Sequence, residues 1–231
     1  MRSARAKLRR WHTWLGWLVG LPLLLWTLSG VLMVAKPIEE VRGEHLVSPP
    51  PPLRLTSYPV VPAIEGVPIK SLSLQQRADG PRWVIGLPDG NNRLADPATG
   101  ALLPPLSAAD AVREVAARYV GDASVTAANR TDPDKPPLDL RRNIAAWQVV
   151  MSDGTRFYVD SGSGEIVARR TDWWRLYDFM WGLHIMDLKT REDMHNPLVI
   201  GFGLLALVST LLALALLPLT LRRRRRANGT E

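Results

Sequence analysis

Two stretches of this chain, residues 11–35 and 197–221, each run for 25 residues without a Lys, Arg, Asp or Glu. As helices rising about 1.5 Å per residue, each reaches about 37 Å, enough to cross a hydrocarbon core of about 30 Å with some tilt. The chain is therefore predicted to cross a bilayer twice, with everything between the spans folding on one side. The first stretch has the basic start and apolar middle of a secretory signal. It is longer than a signal's apolar region, and Met33-Val34-Ala35 is a poor small-x-small cleavage site, so it reads as an uncleaved anchor.

The formal net charge of +7 sits at the ends. Residues 1–10 carry five basic side chains and residues 222–226 five arginines, against Glu231 as the single acid, so the two ends sum to +9. Residues 36–196 hold 19 basic and 21 acidic residues and are −2. A nucleic-acid binder needs its excess charge on the folded body, where it can track phosphates, and this body has none. Basic residues on the outer flank of both spans place both termini in the cytoplasm and residues 36–196 on the periplasmic side; the arginine run also suits anionic lipid. The 161-residue loop is long enough to bury a core of its own. Absence of cysteine is compatible with either redox compartment at that size. No G-x-S-x-G, H-E-x-x-H or glycine-rich phosphate loop is present, and there is no thiol, which argues against an autonomous enzyme.

The loop opens with a spacer, residues 36–56, stiffened by four successive prolines at 49–52. Beyond it a pattern recurs at an offset of 64 residues: Trp83, Asp89-Gly90, Asp96 and Gly100 against Trp147, Asp153-Gly154, Asp160 and Gly164, with identical spacings. Each copy reads as a β-meander, a strand from Trp, an Asp-Gly turn, a strand ending at Asp and a Gly-containing turn. The two tryptophans are assigned to the meander cores. An amphipathic helix precedes the second copy, with Ser107 as N-cap, Asp110 at the capping-box position and Gly121 as stop. In the first copy Pro59 and Pro62 interrupt the corresponding helix. The predicted fold class is α+β: two transmembrane helices (11–35 and 197–221) flank a body of a degenerate unit (57–105) and a second, complete unit (106–170). Basic tails occupy 1–10 and 222–231. Residues 171–196, rich in Trp173, Trp174, Tyr177, Phe179 and Trp181, read as an interfacial helix followed by a charged collar.

The stretches Leu8-Arg9-Arg10-Trp11-His12-Thr13-Trp14-Leu15-Gly16, Leu25-Trp26-Thr27-Leu28-Ser29-Gly30 and Trp181-Gly182-Leu183-His184-Ile185-Met186-Asp187 resemble those of the PepSY-associated transmembrane family. The second unit, with Trp147, Tyr158-Val159-Asp160 and Gly164-Glu165, resembles a PepSY domain. The resemblance implies a bacterial inner-membrane protein whose periplasmic domain is similar to the inhibitory propeptides of secreted metalloproteases. Larger relatives look like ferric-siderophore reductases in which membrane histidines ligate haem b.

Haem candidates by that resemblance are His12, His184 and His195. His12 shares a helix face with Gly16 and Gly20, which equally reads as a helix-packing surface of the G-x-x-x-G type. It lies across the membrane, about 30 Å, from the other two, so it shares an iron with neither within one chain; a homodimer pairing His12 with its symmetry mate is the simplest arrangement. Glu44, His45, His184, Asp187 and His195 supply carboxylate and imidazole groups suited to a divalent metal beside the membrane, although their spacing follows no standard motif and a solvated charged collar accounts for them too. The resulting expectation is a non-catalytic binding or regulatory module held in the lipid bilayer, with a protein partner in the periplasm or inner membrane and a role in protease modulation or metal uptake. The alternative is a haem-bearing component of a ferric reductase.

Overall fold

The computed structural model describes residues 2–227, with side chains for residues 6–217. Residues 228–231 and the side chains of Arg2, Arg5 and the five arginines at 222–226 lie outside the described residues. In chain order the elements are α1 (Arg2–Met33), α2 (Ile38–Val41), β1 (Ser71–Arg77), β2 (Gly80–Gly86), β3 (Asn92–Ala95), α3 (Ala108–Arg118) and β4 (Val125–Arg130). Then come β5 (Ala146–Met151), β6 (Arg156–Asp160), β7 (Ile166–Arg170), α4 (Asp172–His184) and α5 (Pro197–Ala227). Two compact units result, a membrane unit of Met1–Ala35 with Leu176–Glu231, and a body of Lys36–Arg175.

In the membrane unit, Ala6–Met33 and Pro197–Leu217 are long and apolar enough to cross a bilayer. Their large side chains, among them Trp14, Trp17, Leu24, Leu204 and Leu211, face outward, the reverse of a helix that serves a water-soluble core. The helix of the first span continues through the basic tail to Arg2. α1 packs against α5, but not through its glycines: no atom lies within 4 Å of where a Cβ of Gly16 or Gly20 would stand. The last turn of α4 closes as a Schellman motif, with Met186 N–H on Leu183 O, Asp187 N–H on Gly182 O and Met186 at φ 56°.

In the body, β1-β2-β3 form one antiparallel sheet and β4-β5-β6-β7 another. Ser107 and Asp110 make both bonds of a capping box at the start of α3. This helix lays Ala111 and Val115 on the second sheet, over Val149, Met151, Phe157, Val159 and Ile166. The sheet's other face is covered by Leu140, which packs with Ala146, Tyr158 and Ala168. There the Tyr158 hydroxyl donates to Asp139 at 2.6 Å and accepts from Gln148 at 2.5 Å. Burial, reinforced by the Asp139 carboxylate, pushes that phenol well above the ordinary tyrosine range.

The two sheets carry the same turn bonds. Asn91 N–H and Thr155 N–H bond the carboxylates of Asp89 and Asp153, and Gly90 N–H and Gly154 N–H bond Leu87 O and Met151 O. One turn later, Ala98 and Gly162 N–H bond the carboxylates of Asp96 and Asp160, and Gly100 and Gly164 N–H their backbone carbonyls. Trp83 and Trp147 are both half-buried; Trp147 packs against the core of its sheet, as expected, whereas Trp83 belongs to neither buried cluster. Each indole N–H donates to a backbone carbonyl of the segment that precedes its sheet, Val60 O at 2.8 Å and Leu106 O at 2.7 Å. Those segments are tied in turn, Val60 N–H to Pro97 O and Leu106 N–H to Ser161 O, both at 2.8 Å. The first sheet has no counterpart of α3: residues 48–70 are irregular, as expected where Pro59 and Pro62 remove helix donors.

Candidate functional site

An edge strand is a row of unpaired N–H and C=O groups, and proteins normally blunt such rows with short length, bulges or charges. Three of the four edges of this body are blunted. β3 is four residues long and its end is bridged to Leu102. The pairing of β4 shifts register between Val125 and Ala127, and that of β7 shifts opposite Tyr158 and Val159 and carries Arg169 and Arg170. β1 is different. It pairs with β2 over all seven residues without a shift, and its sequence Ser-Leu-Ser-Leu-Gln-Gln is uncharged until Arg77, whose side chain is buried. Among the described residues no backbone hydrogen bond joins β1 to any strand but β2. The segment leading into it exposes Leu55, Tyr58, Val61, Val67 and Ile69, with Tyr58 97% exposed. The alternation in 71–76 was the available sequence signal for this strand, which sequence reasoning, centred on Trp83 onward, missed.

In the membrane unit, His184 is the anchored histidine. Its ring stacks on Trp26 with centroids 4.5 Å apart and planes at 20°. Nδ1 stands 3.0 Å from Ser29 Oγ and 3.1 Å from Trp26 O, and the Ser29 hydroxyl itself lies 2.8 Å from the same carbonyl. A carbonyl only accepts, so the arrangement that satisfies all three atoms has the ring proton on Nδ1, shared toward Trp26 O and Ser29 Oγ, while Ser29 donates to Trp26 O. In a neutral ring that tautomer leaves the lone pair on Nε2. Gly30 admits the ring, since a Cβ there would stand 3.3 Å from His184 Cε1. Thus Trp26, Ser29 and Gly30 of one sequence motif meet His184 of another, across a separation of 155 residues.

The rest of the second motif folds the connection into α5. Arg191 Nη1 bonds the buried Asp178 carboxylate at 2.6 Å, its carbonyl accepts from the Trp181 indole at 3.0 Å, and its side chain crosses Gly182, where a Cβ would meet it at 2.7 Å. The Asp187 carboxylate accepts from the Thr190 hydroxyl and from the N–H groups of Lys189, Thr190, Glu192 and Asp193. These bonds, the hydroxyl's first, hold it well below the ordinary carboxylate range. Its lone pairs serve the turn.

The remaining candidates are placed as follows. His12 Nδ1 is buried without a hydrogen-bond partner. His195 is exposed, its backbone N–H bonded to Asp193. Glu44 lies 3.9 Å from Arg42, and His45 is exposed beside Pro37, Glu39 and Glu40. Among the described residues, no three His, Cys, Asp or Glu side chains are grouped to hold a metal ion. Of the five aromatic residues assigned to the interface, Trp174 is buried in the body, with the Arg170 guanidinium 4.0 Å from its ring centroid.

Compared with known proteins, the chain matches the family model described as the PepSY-associated TM region over residues 9–230. No curated protein and no solved structure matches it.

Proposed function

Because the chain belongs to the PepSY-associated transmembrane family, and is a two-pass membrane protein, we propose that it is a non-catalytic binding module that receives an extended segment of a protein partner along β1. In this reading the protein sits in the bacterial inner membrane with both termini cytoplasmic. Residues 36–196 form a periplasmic body of two PepSY-like units, and its partner is a protease or a component of metal uptake. The observation that carries the reading is the unblunted seven-residue edge of β1, because strand addition takes its affinity from main-chain bonds and its selectivity from alternate side chains. The test is a photo-crosslinking residue at Ser73 of the full-length protein in cells, against the same residue at Thr126 on the bulged β4. The expected result is a discrete adduct from Ser73 that Leu72→Lys abolishes. Equal labelling from both positions, or none from Ser73, defeats the reading.

The second reading, haem b, is favoured by one observation, the 3.1 Å approach of His184 Nδ1 to the Trp26 carbonyl. A ligating histidine characteristically gives its other ring N–H to a carbonyl, as Nδ1 does toward Trp26 O, and offers Nε2 to the metal. His184 would hold the iron on one side, and bound haem would supply one-electron transfer. His12 does not complete the pair within one chain, for it lies 14 residues before Trp26 on α1, about 21 Å along the helix. A Soret band in the detergent-purified protein, lost in His184→Ala and kept in His12→Ala, supports this reading. Absence of the band after expression with added haem precursor removes it.

A further inference from the structure

The β1–β2 hairpin, α3 and the turn before β7 line a half-open pocket of about 180 Å³ in the body. Six charged side chains line it, and four of them neutralise one another: Arg82 with Asp79 at 2.8 Å and Arg113 with Asp110 at 3.4 Å. Arg77 and Glu114 remain. They are the most deeply buried of the six, 6% and 3% exposed, and they form an ion pair neither with each other nor with any other described residue.

Each is instead pinned by neutral backbone and amide groups. Arg77 gives its Nε–H to Ser163 O at 2.7 Å and Nη2 to the Gln75 side-chain oxygen at 2.7 Å, and Gly164 makes room for it, since a Cβ there would stand 3.1 Å from Nε. Glu114 accepts from the Ala78 N–H at 2.8 Å. A guanidinium has five N–H donors and a carboxylate about four acceptor positions, so both keep capacity to spare. A buried ion pair repays its desolvation only when the partners meet in good geometry, and these two, each tied to neutral groups, do not come within ion-pair distance of each other. Held apart, they form a cationic and an anionic pole in one small cavity, and Leu94, Leu103 and Leu106 supply an apolar wall.

We propose that this pocket binds the zwitterion of a single apolar α-amino acid, its carboxylate on Arg77, its ammonium on Glu114 and its side chain against the three leucines. Size points the same way. The cavity, about 180 Å³, falls well short of the roughly 300–1,000 Å³ of pockets for larger ligands. A carboxylate suits a buried arginine because the pairing is planar and charge-assisted. This site stands independently of the β1 edge.

The test is L-leucine titrated into the full-length protein in detergent, followed by saturation-transfer NMR and calorimetry. Acetate and isoamylamine serve as the two halves of the ligand. The expected result is leucine binding with a Kd on the order of 1 mM or tighter, as a ligand of about nine heavy atoms allows. Neither half-ligand should compete at the same concentration. Glu114→Gln, which keeps an acceptor for Ala78 N–H, should weaken binding at least about ten-fold, and Arg77→Lys should do so too. Three outcomes overturn the proposal: no leucine signal at ~10 mM, acetate competing as well as leucine, or Glu114→Gln binding like the parent. The competition series needs no variant, so it decides the matter even if neither substitution folds.

Discussion

The two sheets of the body share a scaffold of turn bonds and differ in what covers them. Around the second, α3 and Leu140 close both faces, and its edges are bulged or charged. The first has the same Asp-anchored turns and the same indole clamp, but no helix, an irregular segment of exposed apolar residues and one straight, uncharged edge. The turns therefore fix the meander and the covering fixes its role. A closed sheet stores stability, and an open one with intact turns keeps its shape while leaving main-chain groups available to a partner.

The hardest test of this division is deletion of core. Phe157→Ala removes a fully buried ring from beneath α3 and should cost about 3–5 kcal/mol. Ile85→Ala, fully buried in the first sheet but outside either buried cluster, should fall near the low end of the range for such truncations, about 2 kcal/mol. Tryptophan-fluorescence melts of the two variants should show that gap, and equal losses would mean that the first sheet is as tightly closed as the second. The opposite face of the second sheet adds a pH test. The Tyr158 phenol titrates above its unfolded value, so the folded state holds its proton longer than the unfolded chain does. Its contribution is complete below the ordinary tyrosine pKa of about 10 and is lost as pH rises from there toward the folded value. Melting temperature should fall over that interval more steeply than in Tyr158→Phe, and parallel slopes would remove the phenol from the account.

Next in size is the joint between the sheets. A Cβ on Gly162 would stand 2.2 Å from Asn92 O, while Asn92 Nδ2 bonds Asp160 at 2.8 Å. Gly162→Ala must push the first sheet away or distort the β6–β7 turn, at a cost of about 1–3 kcal/mol. Ser107→Ala removes one half of the capping box on α3, about 1 kcal/mol, and leaves the Gly162–Asn92 joint in place. Limited proteolysis distinguishes the two: Gly162→Ala should expose both sheets to cleavage, whereas Ser107→Ala should loosen α3 alone.

Local chemistry is why much of this was legible in the sequence. An Asp followed by Gly at fixed spacing states its own turn, Ser107 with Asp110 states a cap, and 25 uncharged residues state a span. Contacts between residues far apart in the chain were not legible. Nothing local to His184 says that Trp26 and Ser29 will hold its Nδ1, nor does Gly182 announce the Arg191 side chain above it or Arg77 the Ser163 carbonyl 86 residues away. The two tryptophans illustrate the boundary. Their recurrence marked them as important to each meander, but their half-burial and their bond to a preceding irregular segment depend on residues that lie 23 positions upstream in one case and 41 in the other. Without that long-range placement the core assignment holds for Trp147, which packs on its sheet's buried cluster, and misses that Trp83 acts as a clamp alone.

The smallest effect expected on stability is the sharpest on the comparison. Leu72 lies 37% exposed on β1, pairs with Ile85 across the sheet and belongs to no buried cluster. Leu72→Lys should therefore shift unfolding by no more than about 0.5 kcal/mol, the usual range for surface positions. A lysine there supplies the blunting charge that β7 already has in Arg169 and Arg170, so a strand that adds to β1 would have to desolvate it. Unchanged melting with loss of the Ser73 crosslink would separate shape from binding at one residue. A large destabilisation instead would mean that Leu72 is part of the first sheet's own closure, and the distinction between a storing sheet and a presenting sheet would fail at the strand on which it rests.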